Sequence, residues 1–168
     1  MLKLIILAIV VQVVSGDGEV SLGRLPSYAH KVGGEVILLN ERQYKIKGLN
    51  YDGTAPAAWH VGMKQGTSGV YGTGTYVFRD ERNSDCKQIH KKNKNDDIII
   101  TIPKNLSLSK DIARIAIYCF KYCVNFGDVA VPEGLTLPPA PEDLPDYELC
   151  EPTKTYKPCA QKKVIPIK

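Results

Sequence analysis

Apolar and polar residues alternate with a period of two along much of this chain, the pattern of strands with one wet face. Residues 36–39, the polar Asn40-Glu41-Arg42 and residues 43–47 read as a β-hairpin, with Tyr44 and Ile46 set against Lys45 and Lys47. Residues 59–63 and 75–78 predict two further strands, separated by Gly66, Gly69, Gly72 and Gly74. That glycine run lacks the Lys-Ser/Thr ending and following helix of a phosphate-binding loop, so it reads as a flexible connection. Ile98-Ile99-Ile100-Thr101-Ile102 is a continuous run stopped by Pro103, which predicts a strand buried on both faces. Residues 114–124 are β-branched and aromatic and predict one strand. Asn125 to Asp128 then read as a turn, residues 129–131 as a last short strand, and residues 109–113 as the one short helix. The expected fold is all-β, an antiparallel β-sandwich or barrel of short strands.

The two ends of the chain differ from this middle. Lys3, an apolar run over residues 4–14 broken only by Gln12, and Val14-Ser15-Gly16 have the form of a signal peptide. Cleavage after residue 16 is expected to leave Asp17 first, in a secreted, extracellular protein. The run is shorter than the roughly 20 apolar residues that cross a bilayer, so no membrane span is expected. Residues 17–136 form the expected β domain. Seven of the 11 prolines fall beyond Leu137, so residues 137–168 are expected to be an irregular tail. Proline lacks the N–H that helices and ladders use, so such a tail is stapled only where Cys150 and Cys159 allow.

The formal net charge of +4 is concentrated in Lys87, Lys91, Lys92 and Lys94. No aromatic residue interleaves with that run, and export argues against nucleic acid, so it reads as a solvated loop. His30, His60 and His90 show no metal-ligand spacing, and no metal or cofactor is expected. Asp52-Gly53 makes a turn most simply. No Ser-His-Asp or Cys-His signature stands out, which points away from an enzyme. Asn105-Leu106-Ser107 is an N-glycosylation sequon in an exposed stretch after Pro103.

Five cysteines in an exported chain leave at least one thiol without an intramolecular partner. If residues 114–124 are one strand, Cys119 and Cys123 share a face about 13 Å apart, at ~3.3 Å per residue. Bridged α-carbons lie within about 7 Å, which excludes that pair unless a bulge intervenes. Cys150 and Cys159 can close a small loop and are the first choice for one bridge. Cys86 and Cys123 then pair with each other or with the tail, and Cys119 is left over in an apolar strand. Two readings stay open: an inert core thiol, or a redox-active one, although nothing local lowers its pKa.

Several segments in order resemble one family. Gly23, Leu25, Ser27, His30, Val32 and Gly34 look like the opening of the DM-thirteen domain. Leu49-Asn50-Tyr51-Asp52-Gly53 and Ala55-Pro56-Ala57-Ala58-Trp59 match its central segments. Asp80-Glu81, Ile100 to Pro103, Asp111-Ile112, Ile117-Tyr118-Cys119, Val124-Asn125-Phe126-Gly127 and Val129 to Pro132 complete the match over about residues 20–136. The chain is thus similar to the extracellular module of Skeletor-type and Knickkopf-type proteins, as a single-domain member. The resemblance implies a β-rich fold whose characteristic cysteine is Cys119. It also implies a redox or electron-transfer role beside a haem-binding DOMON-type partner, here a separate protein. The alternative it carries is a structural or binding module of cuticle, chitin or extracellular matrix, with exposed tyrosines and Trp59 as stacking surface. The segment at Trp59-His60 is shortened relative to the family's aromatic run. Cys86, Cys123, Cys150 and Cys159 are additions to its pattern.

Overall fold

Side-chain alternation builds two four-stranded antiparallel sheets, packed face to face. The computed structural model describes residues 18–67, 74–80, 82, 86–89, 92–152 and 155–156. The expected signal peptide, His90, Glu81, Lys91, Gly69, Gly72 and Cys159 lie outside them. Sheet A contains β1 (Val20–Arg24), β2 (Gly33–Asn40), β3 (Gln43–Tyr51) and β6 (Asn93–Thr101), in that order. Sheet B contains β4 (Ala58–Lys64), β5 (Thr75–Phe78), β7 (Ile112–Cys119) and β8 (Val124–Ala130), ordered β5-β4-β7-β8. The chain is nearly all β, an antiparallel sandwich whose core lies between the sheets.

The hairpin of β2 and β3 closes through Glu41 and Arg42, with Asn40 Oδ1 accepting the Arg42 N–H at 2.9 Å. Val36, Leu38, Tyr44 and Ile46 point inward, while Lys45 and Lys47 reach the outer face. Strand β1 escapes sequence reading because Gly23, at φ 91°, breaks its alternation with a bulge. Helix α1 (Leu108–Asp111) is one turn, started one residue earlier than expected by Ser107, whose side chain accepts the Lys110 N–H.

Two strand expectations need correction. The Ile98–Ile102 run is not buried on both sides: Ile98, Ile100 and Ile102 are buried, but Ile99 is 37% exposed. Strand β6 is an edge of sheet A, and Ile99 faces that sheet's solvated back. The strands buried on both faces are β4 and most of β7. Residues 114–124 are likewise not one strand. β7 stops at Cys119, the chain reverses through residues 120–123, and Cys123 takes a left-handed φ of 58°. Asn125 to Asp128, read as a turn, lie within β8, where Cys119 pairs with Val124 and Tyr118 with Asn125. Gly127 is glycine for a reason other than a turn: a Cβ there would lie 2.3 Å from the Pro26 carbonyl oxygen.

Residues 137–152 contain no strand or α-helix, yet they are held at many points besides a cysteine. The Pro138 carbonyl accepts the Glu41 N–H at 3.0 Å, and the Pro145 carbonyl accepts from Arg42 Nη2 at 2.7 Å. Asp146 caps the Lys104 N–H at 2.9 Å, and the Cys150 N–H donates to the Val77 carbonyl of β5 at 2.9 Å. The segment therefore runs along the domain and ends against the edge of sheet B.

Candidate functional site

Cys119 is the last residue of β7 and is fully buried, set between Ala58 of β4 and Val124 of β8. It is the free cysteine among the described residues. Cys86 is bridged to Cys150, which corrects the expectation of a Cys150–Cys159 bridge. The reason is that the tail folds back onto sheet B and carries Cys150 to the Cys86 loop. Cys123 is also disulfide-bonded.

Tyr51 ends β3 on the facing sheet and is 1% exposed. Its hydroxyl oxygen accepts the Ala55 N–H at 3.1 Å. Burial pushes the Tyr51 hydroxyl pKa up, the Ala55 contact pulls it back, and the nearby Asp52 and Cys119 add to the rise. The phenol and the thiol thus lie within electrostatic reach. Burial, with Cys119 second, also raises the Tyr118 pKa. The loop after Tyr51 closes over the end of β7, where the Ala57 carbonyl accepts the Phe120 N–H at 3.1 Å. Pro56 is exposed in that loop.

From Tyr51 a line of rings runs outward. Phe126 of β8 stacks on Tyr51 with centroids 6.4 Å apart, and His30 lies 4.3 Å from Phe126 and 6.2 Å from Tyr51. The His30 side chain keeps 31% of its surface in solvent, so the line reaches the outside. Its Nδ1 is 3.1 Å from Asp52 Oδ1 and 3.0 Å from Thr54 Oγ1. Thr54 gives its hydroxyl proton to Asp52 at 2.7 Å, so both neighbours of Nδ1 are acceptors and Nδ1 carries the ring proton. Nε2 is then the basic nitrogen. Partial burial pushes the Asp52 carboxyl upward, but the Thr54 N–H, the Thr54 hydroxyl and His30 together hold it below its ordinary value.

The backbone is set to this purpose. His30 and Lys31 both adopt left-handed φ angles, 54° and 55°, a conformation that costs about 1–3 kcal/mol for each non-glycine residue. The His30 carbonyl accepts the Asp52 N–H at 3.0 Å, and the Tyr28 N–H donates to the Phe126 carbonyl at 2.9 Å. Gly53 takes a φ of 76° as the Asx turn closes on Thr54. Gly34 permits close packing, since a Cβ there would meet Ile46 Cγ2 at 2.9 Å. His30, Tyr51, Asp52 and Phe126 come together, and Tyr51 is the member of this group within electrostatic reach of Cys119. Asn125 serves locally, accepting the Gly127 N–H at 3.0 Å.

A second polar group lies inside the sandwich. His60 of β4 is 1% exposed, and its Nε2 is 3.9 Å from Asp80 Oδ2. Arg82 holds Asp80 through Nε at 3.0 Å to both oxygens and bonds Asn93 Oδ1 at 3.1 Å. Burial pushes the His60 pKa down to about 4, with Asp80 opposing and Arg82 adding to the fall. Nothing in the local sequence marks Arg82, whose partners come from the strand ends on either side. Among the described residues, no group of three or more His, Cys, Asp or Glu is placed to hold a metal ion.

The family model described as "Electron transfer DM13" matches residues 24–131, from the end of β1 to just past β8. The chain belongs to this family. The DM13 domain is 35% identical over 118 residues to "Protein Skeletor, isoforms B/C" of Drosophila melanogaster, covering 70% of this chain and 14% of that protein. It is equally similar to "Protein Skeletor, isoforms D/E" of the same organism, covering 8% of it. The chain thus spans a small part of the curated relatives it matches. No solved structure matches. Cys119, His30, Tyr51, Asp52 and Phe126 lie within the matched residues, whereas Cys150 and the docked tail lie beyond them. Trp59 is 7% exposed and faces the back of sheet B, so it supplies no open stacking surface; among the described residues, Tyr28 and Tyr122 are the exposed tyrosines. Among the described residues, no helix is long and apolar enough to cross a membrane.

Proposed function

We propose that this DM13 domain is an exported one-electron transfer module whose redox group is the Cys119 thiol. The observation that carries this reading is a free, fully buried thiol within electrostatic reach of Tyr51, from which Phe126 and His30 lead to solvent. Burial removes the access that thiol–disulfide exchange needs. Outer-sphere electron exchange needs no such access, and packed aromatic rings supply its route. In the step, the Cys119 S–H bond breaks, one electron passes to an oxidised partner protein, and the proton leaves toward solvent. A haem-binding DOMON-type protein is the partner class proposed, docking over His30 and Asp52. Asn105 is exposed in the turn before Ser107, and the same extracellular setting would have it glycosylated.

The test is titration of the native protein with ferricyanide, a one-electron oxidant, with electron paramagnetic resonance to detect sulfur- or tyrosine-centred radicals. Wild type is expected to reduce the oxidant through a radical intermediate, Cys119→Ser to reduce none, and Tyr51→Phe to react slowly. Equal consumption by wild type and Cys119→Ser would show the thiol to be inert.

A further inference from the structure

We propose that residues 137–152 form a strap that passes the β2–β3 turn and ends over the back of sheet B, where it is locked by the Cys86–Cys150 disulfide and opened by its reduction. This inference is independent of the role of Cys119, which faces the other side of β7. The back of sheet B is a second apolar cluster in which Trp59, Val61, Val77, Ala116, Tyr118 and Phe120 are all buried. What covers them includes the Cys150 side chain, 5% exposed, and Tyr156, which packs against this cluster.

Apart from the bridge, the proximal half of the strap is anchored by buried Leu137 and the Pro138 carbonyl, and the stretch that leads to sheet B is tied mainly by polar contacts. Lys104 Nζ is 3.2 Å from Asp146, and Arg79 lies over the Tyr147 ring at 5.5 Å. Arg42 holds the Pro145 carbonyl. Exposed contacts of this kind contribute little individually, because water competes for both partners. Beyond them, the Cys150 backbone bond to Val77 and the buried Cys150 and Pro152 side chains hold the distal end. The first two depend directly on Cys150 staying where the bridge puts it, while Cys123, also disulfide-bonded, packs against the same cluster. The strap's prolines, from Pro138 to Pro152, leave it no helix or strand of its own to fall back on.

The chemistry is thiol–disulfide exchange with an external dithiol. Cys86 is exposed and Cys150 buried, so the incoming thiolate attacks the Cys86 sulfur and forms a mixed disulfide. The Cys150 sulfur leaves and takes a proton. The second thiol of the donor then resolves the mixed disulfide and frees Cys86. Two electrons and two protons pass from the dithiol to the bridge, and the dithiol ends as a disulfide. The strap then lifts from Trp59, Tyr118 and Phe120.

Trp59 is the single tryptophan of the chain and sits beneath the strap, so it reports the opening. The full-length protein is treated with graded dithiothreitol, bridge cleavage is mapped by mass spectrometry, and acrylamide quenching of Trp59 is measured. Alkylation of Cys119 is followed in parallel as the gauge of core integrity. The Cys86→Ser/Cys150→Ser double variant, unreduced, removes this bridge alone, and the same variant under dithiothreitol removes the Cys123 bridge as well, so the contribution of each is read separately. Reduction and the double variant are each expected to raise the quenching constant severalfold and shift the emission to the red, with Cys119 still protected. Unchanged quenching with the bridge cut would overturn the proposal. So would Cys119 alkylation in step with Trp59 exposure, since the bridge would then staple the whole fold. Neither result bears on ferricyanide reduction by Cys119.

Discussion

Behind sheet A, Lys45, Lys47 and Ile99 meet solvent; behind sheet B, Trp59, Tyr118 and Phe120 meet the chain's own C-terminal segment. The two sheets share one core, so the difference lies only in what each carries on its far side. Sheet A is finished by polar alternation within its own strands. Sheet B is apolar on both faces and needs a further layer, supplied by residues more than 60 positions away from β5. The lesson is that an apolar strand implies a cover without saying which segment supplies it.

The sharpest way to break this comparison is to treat the back of sheet B as if it were surface. Phe120→Ala is expected to cost about 3–5 kcal/mol, the cost of a core aromatic, read as the midpoint shift in urea unfolding. A loss under about 1 kcal/mol would show that the covered face does not pack as core. Next, the Cys86→Ser/Cys150→Ser variant is expected to lose about 4 kcal/mol on the chain-entropy argument, because the bridge closes a separation of 64 residues. Denaturant unfolding of the oxidised variant checks it.

The interior of sheet B provides the third prediction, through pH. The His60 pKa falls to about 4 in the folded protein, below the ordinary value of 6.5, so the unfolded chain binds the proton more readily. Above about pH 6.5 both states are neutral and His60 costs nothing. Stability then drops as the pH falls toward 4, by about 3 kcal/mol for a shift of this size. Urea midpoints across that window should fall in wild type and flatten in His60→Leu. The lowered carboxyls of Asp52, Asp80 and Asp146 act further down, as pH falls below their ordinary range. The smallest effect belongs to the open back of sheet A. Ile99→Thr is expected to stay within about 0.5 kcal/mol of wild type in the same urea measurement, and a larger loss would mean that this face is covered too.

Legibility in the sequence followed how local each constraint is. The β2–β3 hairpin was plain, since Tyr44, Ile46, Lys45 and Lys47 state their own sides. Ile99 was misread because isoleucine fits a wet edge strand as readily as a buried one, and periodicity is silent in an unbroken apolar run. The end of β7 was missed because Phe120 to Cys123 show no Gly or Pro, and it is Cys123 that adopts the left-handed turn. Gly127 looked like a turn signal, but it reflects Pro26 pressing on the strand. Around Cys119 the residue types were in view, through Tyr51, Asp52 and Phe126. Their assembly with His30 was not, because His30 reaches Asp52 across 22 positions and is aimed by strained backbone. The Cys86–Cys150 bridge depends on the path of a proline-rich segment, which no periodicity records.

The Cys150 N–H bond to Val77 also occupies part of the β5 edge of sheet B, where backbone groups would otherwise face outward. Sheet A guards its own border differently, with Lys94, Asp96 and Asp97 on β6. Charges cannot be removed by a change in surroundings at neutral pH, whereas a bond held in place by a disulfide can. The two borders are therefore unequal guards against self-association. Cutting the bridge frees the segment that occupies this part of the β5 edge, so the disulfide serves as edge protection as well as a cross-link.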